Sequence, residues 1–232
     1  MNLLFIIKSY NQTKGGSVFA PIIIRDVISE FKEINIDTLF FEEKSLWKII
    51  FNFKLHEPKY KKINSKSNLI KVDSFIQLLI WLFKNKKNYN LFVLHGLWSY
   101  IYFICSLFFT LQRKPFCFHP HGSLDPFDIY KKGKLKKNLV GFFFYKFIFN
   151  YSSGIIFTTL LESLRSTTFG SKVPKYIASL TSPSKTINKQ LKSEQINIIK
   201  SKYNIKKNKK ILLFLSRIDS KKGLDILLRA LF

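Results

Sequence analysis

The chain has 232 residues, of which 47% are hydrophobic and 23% charged, so enough apolar surface is present for a packed core and wholesale disorder is excluded. Lys plus Arg number 39 against 14 Asp plus Glu, a formal charge of +25 that favours anionic partners without naming one, and part of it reflects a Lys-, Asn-, Ile- and Phe-rich usage that AT-rich coding also produces. Two cysteines, Cys105 and Cys117, sit in apolar runs and make neither a disulfide framework nor a metal-ligand spacing; they read as core thiols in a reducing compartment.

Met1-Asn2-Leu3-Leu4-Phe5-Ile6-Ile7-Lys8 has no basic lead and too short an apolar run for an export signal, so residues 3–7 read as a first strand. A loop, Asn11-Gln12-Thr13-Lys14-Gly15-Gly16, then leads toward a helix over 22–31. There Ile23, Ile24, Val27, Ile28 and Phe31 form one stripe and Arg25, Asp26, Ser29 and Glu30 the other. Paired glycines between strand and helix let a backbone approach a ligand closely, and they equally well form a plain turn.

Further short apolar runs follow at Leu91–Leu94, Phe116–Phe118 and Gly154–Phe157, with another at 211–215. Such runs, unalternated and separated by helical spacing, suit strands buried on both faces of a parallel sheet. The expected class is therefore α/β with right-handed crossovers. Residues 91–111 are nearly long enough to span a bilayer, but His95, Gly96 and Ser99 break the run, so strand, turn and buried helix is preferred.

After the third run comes Phe118-His119-Pro120-His121-Gly122-Ser123-Leu124-Asp125-Pro126-Phe127. In open α/β sheets ligands bind outside the carboxyl ends of strands, where a His on a Pro/Gly turn is well placed for polar contact. No Cys or carboxylate at ligand spacing accompanies the two histidines, so no metal is expected. Lys131, Lys132, Lys134, Lys136 and Lys137 then precede an aromatic stretch with Phe142, Phe143, Phe144, Phe147, Ile148 and Phe149. That stretch suits either a core helix with a solvated basic lead-in or an interfacial amphipathic face.

Residues 185–210 turn polar and Lys/Asn-rich, which suggests a linker and entry helix; a strand over 211–215 and a helix over 224–232 then start a second α/β unit. Between them, Ser216-Arg217-Ile218-Asp219-Ser220-Lys221-Lys222-Gly223-Leu224-Asp225 runs from strand through turn into helix. Arg217 and Lys222 there make either a diphosphate site or a basic surface turn.

In order and spacing these segments resemble family 4 of the retaining GT-B glycosyltransferases. The 216–225 segment is similar to that family's Gly-Arg-Leu-x-x-x-Lys-Gly-x-x-x-Leu, with Ser216 in place of the usual Gly. Pro120-His121-Gly122-Ser123-Leu124-Asp125-Pro126 is similar to its Pro-His-Gly-x-Leu turn. Looser matches are Gly15-Gly16, Leu94-His95-Gly96-Leu97-Trp98-Ser99, and Phe157-Thr158-Thr159-Leu160-Leu161-Glu162. Residues 177–183 depart from the family's Pro-Asn-Gly turn.

The resemblance implies a GT-B fold with a Rossmann-like acceptor-side domain over 1–181, a linker over 182–210 and an incomplete second Rossmann-like unit over 211–232, short of a further Glu-x7-Glu segment. It implies His121 facing the donor sugar as the catalytic residue, Arg217 and Lys222 on the donor diphosphate, and Gly15, Gly16, His95 and Glu162 at the substrate cleft, with no metal and no cofactor. The implied partners are a nucleotide-sugar donor and a saccharide or lipid-linked acceptor from the cell envelope, met in the cytoplasm at an anionic membrane surface, with no specific nucleic acid. A basic nucleic-acid-binding protein or a membrane-surface protein without catalysis is the alternative. Against the former, the aromatics lie in apolar runs and Lys outnumbers Arg.

Overall fold

The computed structural model describes residues 1–10, 16–31, 33–41, 57–131, 133–180, 189–206, 209, 211–216 and 218–231, without the side chains of 16, 17 and 189–193. The chain divides into two compact units, Met1–Pro183 and Ser184–Phe232.

The first unit opens with β1 (Asn2–Ile7), five of whose six residues are buried, followed by α1 (Gly16–Ile28) and β2 (Asn35–Phe41). Then come β3 (Lys59–Asn64), β4 (Ser67–Val72), α2 (Phe75–Asn85), β5 (Leu91–Leu94), α3 (Tyr100–Leu111) and β6 (Phe116–Phe118). A helical crossover follows, made of α4 (Pro126–Lys131), α5 (Lys134–Val140), a π-helical turn (Gly141–Tyr145) and α6 (Lys146–Tyr151). Strand β7 (Gly154–Phe157), helix α7 (Leu160–Arg165) and strand β8 (Lys175–Ile177) complete the unit.

The eight strands form one sheet in the order β3-β4-β2-β1-β5-β6-β7-β8. Every pairing is parallel except the β3–β4 hairpin. The expected α/β parallel sheet is thus what the chain builds. Strand β3 lies at an edge, fully exposed and carrying Lys59, Lys61 and Lys62, charges that discourage a further strand from adding there.

The main core lies against the face of the sheet that carries Leu4, Ile6, Phe92, Leu94, Phe116 and Phe118, which pack on Trp81, Tyr102, Phe109, Tyr145 and Phe149 of the covering helices. Residues 91–111 resolve into β5, a turn and α3. Among the described residues no helix is long and apolar enough to cross a membrane. Helix α1 begins six residues before the expected start and contains Pro21, whose nitrogen has no hydrogen to donate to the carbonyl one turn back.

In the second unit the described elements are α8 (Lys189–Lys202), a 3₁₀ turn (Ser220–Lys222) and α9 (Leu224–Arg229). The strand expected over 211–215 is not formed: among the described residues this run pairs with no other strand, and Leu213 is 76% exposed. A β-strand is held by inter-strand hydrogen bonds, and an apolar run without a neighbouring strand has none to make.

Candidate functional site

The carboxyl ends of β5 and β6 carry three histidines. Parallel pairing continues past both strand ends, since the His95 amide donates to the Ile6 carbonyl at 3.0 Å and the His119 amide to Leu94 at 2.8 Å. His119 and His121 are two apart at a strand end, so their rings project together and stack at 4.0 Å between centroids. His95 stacks on His121 at 5.3 Å, and its Nδ1 lies 3.0 Å from His121 Nε2. One of these nitrogens donates to the other, so that contact holds a single proton.

The turn that aims His121 is strained. His121 has φ +50° and Gly122 φ +81°, and a non-glycine residue in the left-handed region costs of order 1–3 kcal/mol that the surroundings must offset. Glu162 supplies the restraint. Its Oε1 accepts from the Gly122 amide at 2.8 Å, and its Oε2 accepts from the Thr158 amide at 2.8 Å and the Thr158 hydroxyl at 2.6 Å. The carboxylate therefore joins the β6 turn to the end of β7, and its two oxygens are engaged by three protein donors. Downstream, Asp125 caps α4 by accepting from the Phe127 amide at 2.9 Å, with Pro126 at the first helical position. Trp98 Nε1 donates to the Ser123 carbonyl at 2.8 Å, tying the β5 turn to the β6 turn.

Beneath His95, Gly96 has φ +143°, and a Cβ there would lie 2.3 Å from the Tyr102 ring. The Tyr102 hydroxyl accepts from the Lys8 amide at 2.9 Å, so the ring that needs this glycine also secures the end of β1. The ends of β1, β5 and β6 are held in one arrangement by these contacts.

The imidazoles are neutral near pH 7. Burial holds His95 well below the ordinary range, with His121 and His119 beside it adding to the effect. Burial pushes His119 down to about 4 against a small opposing pull from Glu162, and pushes His121 down to about 3, helped by His119. The Nε2 atoms of His95 and His119 are buried and, among the described residues, meet no hydrogen-bond partner. Burial also raises both thiols, Cys117 to about 11, which leaves Cys105 and Cys117 unreactive.

One ring nitrogen from each of His95, His119 and His121 lies within 4.8 Å of the other two, a grouping that can hold a metal ion. Zn–N bonds of about 2.0–2.1 Å in a tetrahedral site need nitrogens roughly 3.3 Å apart, a spacing compatible with this grouping. Among the described residues the Nε2 atoms of His95 and His119 have no partner, which leaves them open to an ion or a polar ligand, so the structure does not bear out the expectation from sequence that metal-ligand spacing is lacking here.

Of the other sequence-derived candidates, Gly16 is the first residue of α1, the element that follows β1 in the chain, and Gly15 and Arg217 lie outside the described residues. Lys222 ends the 3₁₀ turn of the second unit, with its amide donating to the Asp219 carbonyl at 2.8 Å, and Gly223 follows at φ +65°. His119 was not singled out from the sequence. The signal was present in its i, i+2 spacing from His121 at the end of an apolar run.

No protein-family model matches the chain, and no curated protein matches it. Solved structures do. A sucrose-phosphate synthase from Thermosynechococcus elongatus matches at 10% identity and TM-score 0.46, over 88% of this chain and 99% of its own. An E. coli trehalose-6-phosphate synthase bound with UDP-2-fluoro glucose matches at 9% identity and TM-score 0.53, over 88% of this chain and 55% of its own. The chain thus spans about half the length of that second protein. Both neighbours are GT-B glycosyltransferases, and the likeness to the second shows a shared α/β fold.

Proposed function

We propose that the chain serves glycosyl transfer from a nucleotide sugar to an acceptor hydroxyl, with retained anomeric configuration, as a member of the family 4 type. The observation that carries this reading is the strained Pro120-His121-Gly122 turn, which presents neutral imidazoles at the carboxyl edge of a parallel sheet where α/β folds bind ligands. The E. coli neighbour, which shares the fold, is bound with UDP-2-fluoro glucose, and this supports a nucleotide-sugar donor.

A neutral imidazole can accept from or donate to a sugar hydroxyl without adding charge at the reacting carbon. His121 is assigned that contact, with His95 and Glu162 holding its ring and its turn and Gly15 and Gly16 at the loop after β1. Charge developing on the departing diphosphate needs fixed cations, a role assigned to Arg217 and Lys222. The acceptor proton passes to the leaving phosphate, and neither metal nor cofactor takes part. The acceptor is a saccharide or lipid-linked glycan of the cell envelope, met on the cytoplasmic side. Residues 1–181 form the acceptor-side domain and 211–232 belong to the donor-side domain.

The test is saturation-transfer NMR on the chain with a panel of UDP-, GDP- and ADP-sugars, in buffer with and without EDTA. Weak binding with saturation of the sugar-ring protons is expected, unchanged by EDTA and lost in His121→Ala. Absence of saturation with every donor overturns the proposal, and saturation that disappears with EDTA overturns its metal-free form.

A further inference from the structure

The crossover between β6 and β7 holds more apolar side chains than the core takes up. Helix α5, the π turn and α6 run without a break from 134 to 151. Their inner face buries Gly141, Tyr145, Ile148 and Phe149. On the outer face Leu135, Leu139, Phe142, Phe143 and Phe147 stand exposed, Phe143 at 65%. The spacing from Leu135 to Phe143 is i, i+4, i+7, i+8, one continuous stripe. A contiguous apolar ridge of this kind on a soluble surface marks a contact site rather than ordinary scatter.

Charge surrounds the stripe. Over residues 126–151 there are six lysines, at 131, 132, 134, 136, 137 and 146, against one carboxylate, Asp128, a surplus of five positive charges. Lys134 lies over the Tyr130 ring at 4.6 Å and Lys146 over Phe142 at 5.0 Å, so ammonium groups flank the rings. A nucleic acid would engage the lysines and leave Leu135 and Leu139 in water. An apolar protein groove would take the stripe and leave the lysines unpaired. An anionic bilayer satisfies both, because rings settle at the boundary of headgroups and acyl chains while lysines meet lipid phosphates.

We propose that the ridge formed by Leu135, Leu139, Phe142, Phe143 and Phe147 with its lysine border is a docking face for an anionic lipid bilayer. The same crossover begins at the His119–His121 turn, so docking also holds the histidine edge near lipid-linked glycans. That extension rests on the glycosyl-transfer reading, and the docking does not.

Flotation of the full chain with phosphatidylcholine vesicles, with and without phosphatidylglycerol, reads docking in the absence of any nucleotide sugar. A failure here is therefore separate from a failure of donor binding. The chain is expected to float only with the anionic vesicles. Partitioning should fall at least about tenfold in Phe142→Ser/Phe143→Ser, and about fivefold for each of Lys134→Gln and Lys136→Gln. All four side chains are exposed or at the rim, and circular dichroism of each variant should match the parent. No flotation, or flotation indifferent to the two serines, overturns the proposal. So does a dimer in solution that the two serines convert to monomer without changing flotation, which would assign the ridge to a second copy.

Discussion

Lowering the pH from 7 to 5 should destabilise the first unit through its histidine cluster. An imidazole in the unfolded chain titrates near 6.5, whereas His119 does so at about 4 and His121 at about 3 in the folded protein. For a base with a depressed folded value the unfolded state takes up protons first, so stability is complete above about pH 6.5 and is lost as pH falls toward the folded values. At pH 5 each unfolded imidazole is about 97% protonated against about a tenth or less when folded, a difference of roughly 0.9 proton per residue. Two such residues give a slope of roughly 2.5 kcal/mol per pH unit, and His95 adds to it in the same direction. Urea unfolding between pH 7 and 4.5, followed by Trp fluorescence, measures this directly, because Trp81 is buried in the first unit's core and Trp98 bonds to the β6 turn. His119→Asn should remove roughly 1.2 kcal/mol per pH unit from the slope at pH 5. A stability that is level from pH 7 to 5, or a slope that His119→Asn leaves unchanged, would refute the buried, neutral cluster.

Two substitutions test how the cluster is held. Glu162→Gln replaces one acceptor oxygen with a donor facing either Gly122 or Thr158, so at least one charge-assisted bond is lost, a destabilisation of about 1.5–3 kcal/mol; imidazole NMR resonances of His121 should shift with it, and a loss below about 0.5 kcal/mol in urea unfolding would remove the carboxylate from this role. Gly96→Ala places a methyl group 2.3 Å from the Tyr102 ring at φ +143°, and should cost roughly 2–4 kcal/mol in the same measurement; a value near zero would show that Tyr102 is free to move away from the Lys8 amide.

The parts of the sheet legible in the sequence are those whose side chains are apolar on both faces. Strands β1, β5, β6 and β7 are such runs, and their buried residues follow directly. Strands β2 and β4 were not placed, because Asp37, Thr38 and Lys71 interrupt them. Asp37 is tolerated in a strand because its Oδ1 accepts from Asn68 at 2.8 Å and its Oδ2 from the Tyr89 hydroxyl at 2.7 Å, partners 31 and 52 residues away that local pattern cannot reveal. The 211–215 run shows the converse, since apolar character marks a possible strand but pairing decides whether it forms. At the site, position at strand ends brought attention to His95 and His121, while the part played by Glu162 depends on a left-handed turn forty residues away that spacing does not show. For the 140–149 stretch the core-helix reading describes the inner face, with Gly141, Tyr145, Ile148 and Phe149 buried, while Phe142, Phe143 and Phe147 stay exposed.

The π turn at Gly141–Tyr145 has one further consequence. A π turn accommodates one residue in excess of the α-helical count without changing the phase of the helix on either side. Shortening the segment by one residue inside the turn would therefore leave an ordinary α-helix, with Tyr145, Ile148 and Phe149 still directed inward. Shortening it by one residue within α5 or α6 would rotate everything beyond the cut by about 100° and drive exposed phenylalanines into the core. The outer aromatic surface is thus adjustable at one place along the crossover and constrained everywhere else, so chains of this architecture can differ in surface aromatics there while their interiors stay the same.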